Sequence, residues 1–136
     1  MGDAYQNRAV RVLVVDDEFA VRDFVSRTLR QAGYQTETAS DSRVALKMAG
    51  GDPPWDLLLT DLSMPGMSGS DLARAFLRRD AQVKVLFLTA YADSLVRDAE
   101  ASSRQAVLAK PCTVTELLQA VSLILFGHIR GLAVPQ

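Results

Sequence analysis

Five side chains in this sequence stand where chemistry is done. Asp16 and Asp17 follow one apolar run, Asp61 ends a second, Thr89 a third, and Lys110 a fourth. A carboxylate in such a place can ligate a metal, take a proton or attack as a nucleophile. The plain alternative is an aspartate that caps the turn after its strand. The elements that carry these residues, and the edge to which they bring them, decide between the readings.

Asp61 sits in the stretch Asp56-Leu57-Leu58-Leu59-Thr60-Asp61-Leu62-Ser63-Met64-Pro65-Gly66. The apolar part is too short for a membrane span and is bounded by a Pro-Gly turn, so it reads as a fully buried strand. Residues 10–15 form a β-branched run, a first strand that ends in Asp16-Asp17-Glu18. Val21, Phe24, Val25, Thr28, Leu29 and Ala32 recur at helical spacing, with Gly33 as the stop. Residues 34–39 alternate and predict a second, more exposed strand. Ser40 is the expected cap of a helix whose inner face is Val44, Ala45, Met48 and Ala49. Trp55 is expected as a packing lid at the start of the central strand. Ser68 caps a helix bearing Leu72, Ala73, Phe76 and Leu77. A fourth strand covers 83–88, and a less apolar helix is expected from Asp93 to Ala101. A short fifth strand spans 105–109, and Thr113-Val114-Thr115-Glu116 is a capping box for a last helix with Leu117, Leu118, Val121, Ile124 and Leu125 inward. Residues 9–125 form one domain, 1–8 a frayed end and 126–136 a tail or linker stub.

Strands alternating with helices predict an α/β fold, a flavodoxin-like doubly wound parallel sheet with helices on both faces. Apolar middle strands belong in the centre and the polar second strand at an edge, which fits the order 2-1-3-4-5. In that order Asp16-Asp17 lie beside Asp61, because neighbouring strands are about 4.8 Å apart and ligands bind at carboxyl ends. Three carboxylates so close repel one another unless a cation sits among them. Oxygen donors without His or Cys favour a hard ion, Mg²⁺ first and Mn²⁺ second. With Lys110 as a further cation and Thr89 as a donor, the crevice holds what phosphoryl transfer to a carboxylate requires.

Composition excludes other classes. The chain has 136 residues, 49% of them hydrophobic, which suits one folded domain. Its 15 basic and 16 acidic residues nearly cancel, so no basic footprint for nucleic acid exists. No run reaches membrane-span length and the N-terminus has no signal-peptide core, so a cytoplasmic protein is expected. The single cysteine, Cys112, is read as a small buried filler, and His128 as a solvent-facing or packing residue of the tail.

The combination resembles the receiver domains of two-component response regulators. The resemblance rests on Asp16-Asp17, on Asp61 with Met64-Pro65-Gly66 and Gly69, on Thr89-Ala90 and on Lys110-Pro111, and covers about residues 9 to 125. It implies that Asp61 is the phosphoacceptor, charged by a histidine kinase or a histidine phosphotransfer protein. Asp16, Asp17 and Asp61 hold Mg²⁺ together with the Ser63 backbone carbonyl. Lys110 pairs with the acceptor and then with the phosphoryl group, to which Thr89 moves. The Lys-Pro bond is expected to be cis. Such a domain is a signalling switch that catalyses only its own phosphorylation and dephosphorylation, as a monomer or a phosphorylation-dependent dimer, with an effector the sequence does not identify.

Departures are informative. The family usually has an aromatic residue where Val107 stands, and valine has no ring to turn inward. Cys112 replaces a common phenylalanine, and Ser103 stands near a usual glycine. The expected signal route is therefore backbone movement after Thr89, involving Tyr91. Ser63 and Tyr91 occupy positions that influence phosphoryl lifetime in the family. Two other readings use the same fold. A haloacid-dehalogenase-like phosphohydrolase with Asp61 as nucleophile wants a second aspartate where Ser63 stands. A non-phosphorylated interaction module does not explain the full acid, Thr and Lys set.

Overall fold

The computed structural model describes residues 8–90 and 105–127. In chain order the elements are β1 (Arg11–Val15), α1 (Phe19–Gln31), β2 (Gln35–Ala39), α2 (Ser42–Met48), β3 (Leu57–Thr60), α3 (Gly69–Arg79), β4 (Lys84–Thr89), β5 (Gln105–Ala109) and α4 (Val114–Phe126). The strands are parallel and ordered β2-β1-β3-β4-β5. This is the expected doubly wound fold. The helix expected over 93–101, with Tyr91, Ser103 and His128, lies outside the described residues.

Alternation along the strands divides the core into two layers. On one face Leu13, Val15, Leu58, Val85 and Phe87 pack with Trp55 and with Ala45 of α2 and Leu72, Ala73 and Phe76 of α3. On the other, Val12, Val14, Leu57, Leu59, Leu86 and Leu88 pack with Val25 and Leu29 of α1 and Leu117 and Val121 of α4. Every residue of β3 is buried, which is why the central strand reads as an unbroken apolar run rather than an alternating one. On edge strand β2 only Thr36 and Ala39 are buried.

The helix signals hold with two corrections. Ser68 caps α3 through the Asp71 amide, and Thr113 and Glu116 form the reciprocal capping box of α4. The cap of α2 is Asp41, one residue after the expected Ser40; its carboxylate accepts from the Val44 amide at 2.9 Å. That start sets Ser42 and Ala45 inward, three residues apart, and turns Val44 out to solvent. The last helix runs one residue past its expected end, through Phe126, and is closed by Gly127 at φ 76°.

The amino-terminal edge of the sheet is tied together by a residue with no expected role. Asp56 is buried and accepts from the Arg11 amide at 2.8 Å and from both terminal nitrogens of Arg8 at 2.6 Å. Arg8, expected in the frayed end, is thus held to the start of β3. The Arg11 guanidinium lies 4.1 Å from the Trp55 ring centroid and donates to the Pro53 carbonyl. Trp55 is the expected lid: it is buried, and its Nε1 donates to the Met48 carbonyl at 2.7 Å. The Arg8 side chain is 39% exposed, so its ion pair contributes no more than about 1 kcal/mol. Loss of the acceptor for a buried amide costs more. Asp56→Ala is expected to lower stability in urea unfolding by about 2 kcal/mol, with Arg8→Ala costing less than half of that.

Candidate functional site

Backbone register brings the chemistry-bearing residues to one edge. Val15 pairs with Thr60, so Asp16 and Asp61 both follow at the carboxyl end of the sheet centre. The Asp61 amide donates to the Val15 carbonyl at 3.0 Å, and the Asp16 amide to the Ala39 carbonyl at 3.3 Å. On the other side Thr89 pairs with Ala109, and the Lys110 amide donates to the Thr89 carbonyl at 2.8 Å. The Lys110-Pro111 bond is cis. Asp16, Asp61 and Thr89 are 2%, 6% and 1% exposed, while Asp17 and Glu18 face solvent.

Carboxylate oxygens of Asp16, Asp17, Glu18 and Asp61 lie within 4.8 Å of one another. The Lys110 ammonium stands against them, 2.9 Å from Asp16 Oδ2, 3.4 Å from Asp61 Oδ2 and 3.5 Å from Glu18 Oε1. Burial of Asp16 pushes its pKa up; the Glu18 amide and the Lys110 ammonium oppose that shift, and the Asp61 charge adds to it. Burial of Lys110 disfavours its charge, but Asp16, Asp61 and Glu18 outweigh this and raise its pKa, so it stays protonated.

The donor set fits a hard divalent cation. It is all oxygen, and it is clustered tightly enough that one lysine does not balance it. Asp16 Oδ1 is occupied by the Glu18 amide at 2.9 Å. Asp16 Oδ2 is buried and accepts no hydrogen bond, so its approach to Lys110 is a charge contact rather than an aligned bond. A buried carboxylate oxygen whose one close partner is a charge contact still has lone pairs to give to a cation. Glu18 belongs to this cluster although the sequence reading stopped at Asp16-Asp17; the signal was there in the third consecutive acid.

The loop after β3 is built around Asp61. The Ser63 amide reaches Asp61 Oδ1 at 3.3 Å, and the Thr60 hydroxyl donates to the Asp61 carbonyl at 3.0 Å. Ser42, buried at the start of α2, donates to the Met67 carbonyl at 2.8 Å. Gly69 explains its place in the sequence pattern by sterics. A Cβ there would overlap the Asp61 carbonyl oxygen and fall 2.9 Å from the Leu62 Cα. Val107 is half-buried beside Phe87 and packs against the core layer of Trp55 and Phe76. Cys112, expected as a buried filler, is only half-buried, and burial with the Glu116 charge raises its thiol pKa. With Val21, Phe24, Leu88 and Pro111 it lines a hollow of about 490 Å³ that reaches Glu18 and Lys110.

Gly69→Ala must push the loop after β3 away from its Cβ. The expected result is a loss of about 1–3 kcal/mol in chemical unfolding. Displaced amide resonances for Asp61 to Ser63 should accompany it. An unchanged loop spectrum would show that the close approach is not needed.

Comparison with known proteins agrees with this geometry. Residues 12–122 match the family model of the response regulator receiver domain. The response regulator receiver protein CpdR of Brucella abortus is 33% identical over 118 residues, covering 86% of this chain and 98% of CpdR. The sporulation initiation phosphotransferase F of Bacillus subtilis is 29% identical over 112 residues, 82% of this chain and 90% of that protein. Among solved structures, the chemotaxis protein CheY4 of Vibrio cholerae superposes with a TM-score of 0.77 at 32% identity, over 86% of this chain and 99% of CheY4. The receiver domain of the hybrid histidine kinase CckA gives a TM-score of 0.73 at 31% identity, over 85% and 98% of the two chains. By the extent of the family match and by these relatives, the chain belongs to the receiver domains of two-component response regulators.

Proposed function

We propose that the protein is a phosphorylation-controlled switch in which Asp61 accepts a phosphoryl group from a histidine kinase or a histidine phosphotransfer protein. The observation that carries this reading is the Asp61 carboxylate 3.4 Å from the Lys110 ammonium, within the four-acid cluster. The names of two relatives, a phosphotransferase and the receiver of a hybrid histidine kinase, agree with such a donor.

An Asp61 oxygen attacks phosphorus in line as the P–N bond of a phosphohistidine breaks, and the electron pair leaves with the imidazole. Lys110 then exchanges its carboxylate contact for the new phosphoryl oxygens, and the Thr89 hydroxyl supplies a hydrogen bond to them. Asp16 and Asp17, with Asp61 and the Ser63 carbonyl, would hold Mg²⁺, or Mn²⁺ in its place. Bound there, the ion supplies positive charge against the phosphoryl oxygens. That charge is needed, because phosphorylation adds nearly two negative charges to a site already rich in acids. Asp61 is the acceptor of the group and is restored by hydrolysis, so the protein is a switch rather than an enzyme with a separate substrate.

Incubation with acetyl phosphate and Mg²⁺, followed by intact mass measurement, should add one phosphoryl group to the wild type and none to Asp61→Asn. Chelation of the metal should abolish labelling, and Lys110→Met should slow it by about 100-fold, as removal of a charge-stabilising donor does. Equal labelling of wild type and Asp61→Asn would take Asp61 out of the role.

Val107 directs the signal through backbone rather than through a turning ring. A beryllofluoride titration followed by amide NMR should therefore shift Gln105–Ala109 as well as the site loops. Shifts confined to the loops would defeat that route.

A further inference from the structure

Arg22 stands in the first turn of α1, where a helix disfavours cations because its amino end already carries partial positive charge. The same turn holds no acid, and the cap residue Glu18 makes no side-chain capping bond. Three acids, Asp16, Asp17 and Glu18, precede this turn, and Arg22 reaches back to them. The half-buried Arg22 guanidinium donates to the Asp16 carbonyl at 2.7 Å and lies 5.6 Å from the ring centroid of Phe19. Phe19 is 69% exposed, so its ring covers the guanidinium rather than the core. With the Asp16 carbonyl held by Arg22 and Oδ1 held by the Glu18 amide, Oδ2 faces the Lys110 ammonium at 2.9 Å.

We infer that Arg22 is a positioning residue for the acidic site: it clamps the backbone of Asp16 and thereby fixes the carboxylate that the residue presents to the cluster. It touches neither metal nor phosphoryl group, and it acts through Asp16. The inference rests on the reading of Asp16 as a metal ligand. A planar guanidinium suits this place because it can donate in its plane while its face lies against an aromatic ring.

The test is a Mg²⁺ titration of the full chain, read from the amide shifts of Asp17 and Glu18, with circular dichroism and unfolding in chelator as controls for the fold. Arg22→Met should weaken Mg²⁺ binding about 10-fold, the scale seen when a group that orients a metal ligand is removed. Arg22→Gln keeps an N–H donor but no charge, and Arg22→Lys keeps the charge but not the planar fork; both should fall between wild type and Arg22→Met. Equal Mg²⁺ affinity in wild type and all three folded variants would overturn the clamp. Loss of unfolding stability in chelator with unchanged Mg²⁺ affinity would also overturn it, by showing a structural role alone. If the wild type itself shows no Mg²⁺ response, the metal reading of Asp16 fails first, which separates the two failures.

Discussion

At the carboxyl edge of the sheet the core holds four clustered carboxylates, three of them against one ammonium. Lys110 reaches Asp16 and Asp61 from β5, across the width of the central strands. Like charges at this density are unfavourable wherever the chain could relax away from them. The chain cannot relax. Asp16 and Asp61 leave adjacent strands whose register is locked by buried apolar residues on both faces, and a one-residue slip would turn those residues to the wrong layer. Core packing thus holds in place an electrostatic arrangement that would not form by itself. The tension is relieved by Lys110 in part, and by a hard cation in the proposed cycle.

Much of this was legible in the sequence for one physical reason. A parallel sheet buries its central strands on both faces, so their runs are apolar and end abruptly, and the residue after each run is at the ligand-binding edge. Asp16, Asp61, Thr89 and Lys110 were found by that rule. What it could not reach depends on contacts between residues far apart in sequence. Asp56 looked like the ordinary start of a strand, yet it fastens Arg8 and the Arg11 amide. Gly69 entered only as part of a sequence pattern, because the overlap a Cβ would make with the Asp61 carbonyl exists only once the loop has closed. Ser40 and Asp41 are both good caps, and propensity cannot choose between neighbours of equal merit. The turn of Val44 to solvent follows from that one-residue difference.

The two sides of the site are not built alike, and the difference bears on how a switch could operate. The Asp61 side is braced: Asp61 receives the Thr60 hydroxyl and the Ser63 amide, its loop is pinned to α2 through Ser42, and α3 begins in contact with its backbone at Gly69. The β1 side is braced as well, with Asp16 held at its amide and at one carboxylate oxygen. The side that carries Lys110 is different. Residues 105–108 of β5 are half-buried and Ala109 is exposed, whereas β3 is buried throughout. Displacing a half-buried edge strand uncovers less new apolar surface than displacing a central one, and its cost scales with that area. In the proposed cycle new charge on Asp61 would pull on Lys110, just after β5, and on Thr89 at the end of its partner β4. A rigid Asp61 and a cheaper-to-move cation make the direction of response in the proposed cycle asymmetric: the phosphoryl group would stay where the core has fixed it, and β5 would adjust to it.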